Sequence, residues 1–230
     1  DMYIKSEWKK AHYDKAHTRA YTTEVVQGKH GVKITSHASV VAETVQKILD
    51  VTITWKIEAA GKIDADIAVT KDDEFPDLPR FGVRMFLDKK LSAVRYFGMG
   101  PQESYCDKHQ AASHGLYRAD VGDLHEDYIR PQENGSHYDC EYVELNNSRY
   151  GIVASAEKAF SFNASYYTQE ELEKKTHNYE LIESDSVVFC VDYALNGIGS
   201  NSCGPVVLEQ YRFDDVLFRF QFTLIPYVKG

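Results

Sequence analysis

A strict alternation of apolar and polar residues is the feature that most constrains what this chain folds into. Val51, Ile53, Trp55 and Ile57 alternate with Thr52, Thr54 and Lys56. A period of two places one face of an extended segment in a core and the other in water. Ala59-Ala60-Gly61 breaks the run, and Ile63, Ala65, Ile67 and Val69 alternate beyond it, which predicts a hairpin inside a meander. Phe218, Phe220, Phe222 and Leu224 repeat the pattern near the C-terminus, with Pro226 expected to stop the strand. Further strands are expected over 32–40, 80–86, 93–97, 138–145, 150–155, 160–165 and 187–192. Only one helix is well signalled. Thr168-Gln169-Glu170-Glu171 reads as a capping box, with Glu171 placed to reach back to the Thr168 amide, and predicts a short helix near 168–175. A weaker helical stretch is expected over 5–11.

Ten or more strands with almost no helix imply an all-β fold of two large antiparallel sheets packed together. A single sheet would leave one apolar face in water. No repeat, low-complexity tract or Pro/Gly-rich linker divides the chain, so residues 1–230 read as one domain. Hydrophobic residues make up 43% of the sequence, ample for a core. A net charge of −9 argues against a nucleic-acid partner, because phosphate binding needs clustered Lys and Arg. No apolar run approaches the ~20 residues that span a bilayer, and no signal peptide opens the chain. The first residue is Asp1 rather than methionine, which points to excision from something longer. Cys106, Cys140, Cys190 and Cys203 have irregular spacing and no CxxC pair, so they read as reduced thiols in a cytoplasmic protein and not as a zinc site.

Four blocks carry a resemblance. Arg95-Tyr-Phe-Gly-Met-Gly-Pro-Gln-Glu-Ser-Tyr-Cys-Asp-Lys108 is similar to a G-x-GPxE-xYxD(R/K) block, and Tyr128-Ile-Arg-Pro-Gln-Glu-Asn-Gly135 to Y-x-x-P-x-E-N-G. Ser165-Tyr-Tyr-Thr-Gln-Glu-Glu-Leu172 is similar to an S-x-Y-T/S-x-x-x-L helix start, and Gly197-Ile-Gly-Ser-Asn-Ser-Cys-Gly-Pro205 to a G-x-GS-x-S-x-G-P loop. Trp8-Lys9-Lys10-Ala11 looks like the stretch that follows a D-N-D segment, with Asp1 as its last residue. In this order, over nearly the whole chain, the blocks resemble the C-terminal domain of glycoside hydrolase family 2 β-galactosidases, or the small subunit of their two-chain versions. The resemblance implies a β-supersandwich of the kind shared with galactose mutarotases. It implies that the family's two catalytic glutamates, which act by the retaining route, lie in an (α/β)₈ barrel this chain does not contain. The chain alone is then expected to be inactive. Its implied partners are the remaining domains or the large subunit, with a galactoside at the shared site. No cofactor is implied for this chain, and Mg or Na for the whole enzyme.

The segment 197–205 is the leading candidate site. Glycines, serines and an asparagine cannot drive a core, so they serve either turn geometry or a ligand. In the family this loop edges the sugar site in the barrel. Here that role falls to Ser200, Asn201, Ser202 and Cys203, with Cys203 at about the point where a stacking tryptophan stands in the best-studied type. The alternative is a tight structural loop. Glu133 and Asn134 read either as a sugar-hydroxyl cluster or as a turn in which Asn134-Gly135 supplies positive φ and Glu133 caps amides. Glu103 and Asp107 read either as acids in a groove or as buried partners of Arg95, Lys108 or Arg118. The rival reading is an independent carbohydrate-active protein, either a mutarotase-like epimerase or a sugar-binding module; His109, His114 and His125 fall in a long irregular stretch, 98–130, and a His/Glu pair there would suit the epimerase. The N-H-x-x-F/Y-N run of such enzymes is missing.

Overall fold

A computed structural model describes residues 2–42, 47–198 and 206–230. Among these the chain is all-β, with eleven antiparallel strands and two short helices. It divides into two compact units: residues up to Pro79 with Asn196–Ile225, and Arg80–Leu195 with Pro226–Gly230.

The first unit opens with helix α1 (Met2–Lys10), longer at its start than the 5–11 expected. Trp8 Nε1 donates to the Asp77 carbonyl at 2.8 Å and the Tyr13 hydroxyl to the Pro76 carbonyl at 2.7 Å, which tie the N-terminal segment to the end of the unit. Strands β1 (His17–Gly28), β2 (Gly31–Val41), β3 (Leu49–Glu58) and β4 (Ile63–Lys71) form an antiparallel meander. The β3–β4 hairpin is the one expected from the alternation. The last strand of the chain, numbered β11 (Leu217–Val228), lies against β4, so the order is β1–β2–β3–β4–β11. Phe218, Phe220, Phe222 and Leu224 are buried there, opposite Val69, Ile67, Ala65 and Ile63. Burial of a side chain of that size contributes about 1.5–3 kcal/mol. Pro226 does not stop β11, which continues to Val228, because one missing amide donor leaves the extended backbone intact.

The second unit holds β5 (Arg80–Asp88), β6 (Ala93–Gly100), β7 (Ser113–Asp120), β8 (Ser136–Asn146), β9 (Tyr150–Ser165) and β10 (Ser186–Leu195). Their order is β7–β6–β8–β9–β10–β5, antiparallel throughout. The two strands expected over 150–165 are one. Tyr142 pairs with Ser155 but Cys140 with Phe160, so the intervening residues bulge out, and Glu157, Lys158 and Ala159 are exposed. The stretch 98–130 is not wholly irregular, since β7 and a 3₁₀ turn at Val121–Leu124 lie inside it.

Two strands, β1 and β7, have no counterpart in the alternation. Both are edges of their sheets; every residue of β1 is exposed, so no buried face is written into its residues. Helix α2 (Gln169–Lys174) is the expected one, and Thr168 Oγ1 accepts from the Glu171 amide at 3.1 Å. The reverse half of the capping box does not form as expected. Glu171 Oε1 accepts from the Ile182 amide at 2.9 Å instead, and Lys175 lies 3.5 Å from it. No helix among the described residues is long and apolar enough to cross a membrane.

Candidate functional site

In the second unit a charged network joins the first two sequence blocks. Its base is an ion pair between the start of β5 and the end of β10. Arg80 Nε donates to Asp192 Oδ1 at 2.8 Å and Nη2 to Asp192 Oδ2 at 2.6 Å, a two-pronged fork on a carboxylate only 2% exposed. Room for it comes from Gly82, opposite Asp192 in the ladder, where a Cβ would lie 2.2 Å from Asp192 Oδ1. The third prong, Arg80 Nη1, reaches Glu133 Oε1 at 3.3 Å. Burial pushes the Glu133 carboxyl up, and the Asp192 and Glu103 charges add to this against the pull of Arg80, leaving it raised. Glu133 Oε2 carries no hydrogen bond among the described residues.

Glu103 is the second centre. Its carboxylate accepts from Lys108 Nζ and the Tyr128 hydroxyl in short bonds, from the Tyr105 hydroxyl at 3.1 Å and from the Gly135 amide at 2.9 Å. Burial would raise this group, but bonds from Lys108, Tyr128 and Gly135 outweigh it and hold the carboxyl below its usual value. The reciprocal backbone bonds between Tyr105 and Lys108, at 2.9 and 3.1 Å, fold Lys108 back over Glu103. Lys108 Nζ also donates to the Tyr128 hydroxyl at 2.7 Å. Glu103 thus takes Lys108 from the expected set of cations, while Arg95 lies 3.8 Å from Glu144. Asp107 sits half-exposed on the same turn, and beside it burial and the Asp107 charge push the half-buried Cys106 thiol up to about 11.

Asn134 is buried and locked. Oδ1 accepts from the Glu126 amide at 3.1 Å, Nδ2 donates to the Gln132 carbonyl at 2.9 Å, and its own carbonyl accepts from Asn163 Nδ2 at 2.6 Å. Gly135 supplies the positive φ, +69°, and a Cβ there would meet the Leu124 carbonyl oxygen at 2.4 Å. Glu133 turns to Arg80 and does not cap amides in the way one reading of this turn required.

The three histidines are dispersed. His109 Nδ1 lies 2.9 Å from the Tyr105 carbonyl oxygen and its ring stacks on Tyr138; His114 Nε2 donates to the Asp139 carbonyl at 3.1 Å; His125 Nε2 lies 3.4 Å from Asn178 Oδ1 and 3.6 Å from Asp127. None has Glu103 or Glu133 as a hydrogen-bond or ion-pair partner among the described residues, so the His/Glu pairing offered for these three histidines does not form there. Among the described residues no three His, Cys, Asp or Glu side chains gather to hold a metal.

Ser200, Asn201, Ser202 and Cys203 lie outside the described residues, but the stems of their segment are defined. In the first unit the Asn196 amide donates to the Pro79 carbonyl at 3.0 Å, and Asn196 Oδ1 accepts from the Phe213 amide at 2.8 Å. The Gly197 amide donates to the Tyr211 carbonyl at 2.8 Å. In the second unit the Cys106 thiol donates to the Leu195 carbonyl at 3.6 Å, where β10 ends.

Arg80, Asp192 and Asn196 escaped sequence reasoning. The signal for Asp192 is a charge directly after the apolar run Val187–Val191, since a carboxylate within a buried strand demands a partner. Nothing local points to Arg80 as that partner, 112 residues away.

A family model described as "Beta galactosidase small chain" matches residues 1–224. A β-galactosidase of Actinobacillus pleuropneumoniae is 46% identical over 98% of this chain, which covers 22% of that protein. The β-galactosidases of Staphylococcus xylosus and Kluyveromyces lactis are 34% and 31% identical over 97% and 94% of the chain, again about a fifth of their own length (22% and 21%). The GalM/aldose epimerase homologue from C. elegans aligns with 91% of the chain and 69% of its own at 9% identity, with a TM-score of 0.39, too loose a likeness to carry an argument. On the match over residues 1–224 and the identity to these relatives, the chain belongs to the β-galactosidase small-chain family.

Proposed function

We propose that this chain is a non-catalytic C-terminal domain or small subunit of a glycoside hydrolase family 2 β-galactosidase, acting in the cytoplasm on terminal β-D-galactosides such as lactose. It completes the rim of a sugar site whose catalytic glutamates lie in the remaining domains or the large subunit, and it supports their assembly. The observation that carries this is the commitment of the Asp192 and Glu103 carboxylates. Asp192 and Glu103 are saturated by cations, hydroxyls and an amide, which suits positioning and not proton transfer or attack. The segment 197–205, whose stems are clamped at Asn196 and Gly197, would present Ser200, Asn201, Ser202 and Cys203 to the substrate.

The isolated chain is expected to release nothing from a chromogenic galactoside at high protein concentration. Turnover above a buffer blank that survives re-purification overturns the reading. In the assembled enzyme, Asn201→Ala should raise KM by the equivalent of one hydrogen bond, about 0.5–1.5 kcal/mol. Cys203→Trp should change galactoside affinity with little change in Tm. Wild-type kinetics in both variants, together with earlier melting, would make the segment a structural turn.

A further inference from the structure

The sheet of the first unit is apolar on one face only. Its register aligns Phe222, Ala65, Trp55, Ile34 and Val25 in a single row across β11, β4, β3, β2 and β1. The next row on the other face reads Gln221, Asp66, Thr54, Thr35 and Glu24. Along the apolar row the cover runs out. Phe222 and Ala65 are each 3% exposed, Trp55 and Ile34 are half-exposed, and Val25 is 64% exposed. The flanking Ile53 and Ile57 are half-exposed too, so the open end is a continuous surface and not one stray side chain. Antiparallel sheets leave their polar face to water and cover the apolar one, and an exposed apolar patch rimmed by polar residues marks an interface. The outer edge of β1 adds a row of unpaired backbone groups beside it.

We propose that this β1–β3 end of the apolar face is the seat for another domain of the same β-galactosidase. The proposal rests on the functional reading above and deepens its assembly part. The occupant follows from length and chemistry. The relatives are matched over 98% and 97% of this chain, but that match covers only 22% of their own length, so most of such an enzyme lies outside these residues. Permanent contacts within one enzyme are the hydrophobic class of interface, which is what a surface of Trp55, Ile53, Ile57, Ile34, Val32 and Val25, interspersed with Ser36, Thr23 and Gln27 and without charge, offers.

Val25 and Val26 provide a matched pair for the test, adjacent on an edge strand, 64% and 61% exposed, and pointing to opposite faces. In the assembled β-galactosidase, Val25→Glu should shorten the thermal half-life of activity at least tenfold and Val26→Glu less than twofold. In the chain alone, neither should shift the melting temperature by more than about 2 °C. Hydrogen exchange should show the β1 amides protected at least tenfold more in the assembled enzyme than in the chain alone. Equal effects of the two variants, or β1 amides that exchange as fast in the enzyme as in the free chain, overturn the docking surface while leaving the functional reading in place. A dimer of the isolated chain that Val25→Glu alone dissociates, read by sedimentation, also overturns it, since the occupant is then a second copy. Galactosidase activity in the chain by itself instead defeats the functional reading.

Discussion

His137 is a base the fold keeps neutral. It is 1% exposed, between the rings of Tyr96 and Phe162 with centroids 4.5 and 5.0 Å away, and its Nδ1 lies 3.2 Å from the Met99 carbonyl oxygen. Nε2 is buried with no partner among the described residues, and burial pushes the group down to about 4. The unfolded chain therefore binds a proton that the folded one refuses over the window from about 6.5 down to 4. The His137 contribution is constant above that window and falls by about 3 kcal/mol on acidification through it, while Glu133 and Asp192, both held above their usual values, contribute with the opposite sign. Denaturant titrations of the chain from pH 7 to 4 should show this slope, and His137→Phe should flatten it; an unchanged slope would place the acid sensitivity elsewhere. Glu103, held below its usual value, adds a loss at still lower pH. The Arg80–Asp192 pair gives a second test. Asp192→Ala leaves a buried guanidinium short of its main partner, and the expected cost in chemical denaturation is about 3–5 kcal/mol. At this scale the sequence was half legible. Glu103, Glu133 and Asn134 stand out because their blocks recur in a known family. Arg80 and Asp192 do not, because the bond that gives them meaning forms only when strands distant in sequence become neighbours.

Elements were legible where burial is one-sided. β3, β4 and β11 each write a core face into alternate residues, and α2 writes its start into Thr168. Replacing that cap by alanine should cost about 1 kcal/mol in thermal or urea unfolding; no change would mean that packing of Leu172 alone holds the helix. β1 was illegible for the opposite reason. A strand with both faces in water has no pattern, and its place follows from pairing with β2 through eleven aligned residues. β9 shows a third case. Its exposed bulge at Glu157–Ala159 interrupts the alternation, so one strand reads as two, although Ala154 and Phe160 on either side are both fully or nearly fully buried.

Across the whole chain, β11 has a consequence for the order in which the parts become complete. The first unit's sheet needs Phe218–Leu224 against β4, and the Arg219–Asp66 pair between these two strands closes across 153 residues. The second unit has all six of its strands once Leu195 has been made, with only the tail Pro226–Gly230 to follow. A ribosome delivers the chain from its N-terminus at about 5–20 residues per second. β1–β4 are made before β11, so their sheet is expected to keep a wet apolar face until after the second unit has closed. Long-range pairing of this kind is also slow in free refolding. Pulsed hydrogen exchange during refolding should protect the β8–β10 amides before those of β3 and β4, and a released chain truncated just past Leu195 should protect only the former. Simultaneous protection of both sets would mean that the first unit does not wait for its last strand. On that expectation the sheet begun earlier is the one finished later, and a stop anywhere before Leu217 leaves β4 without its β11 partner.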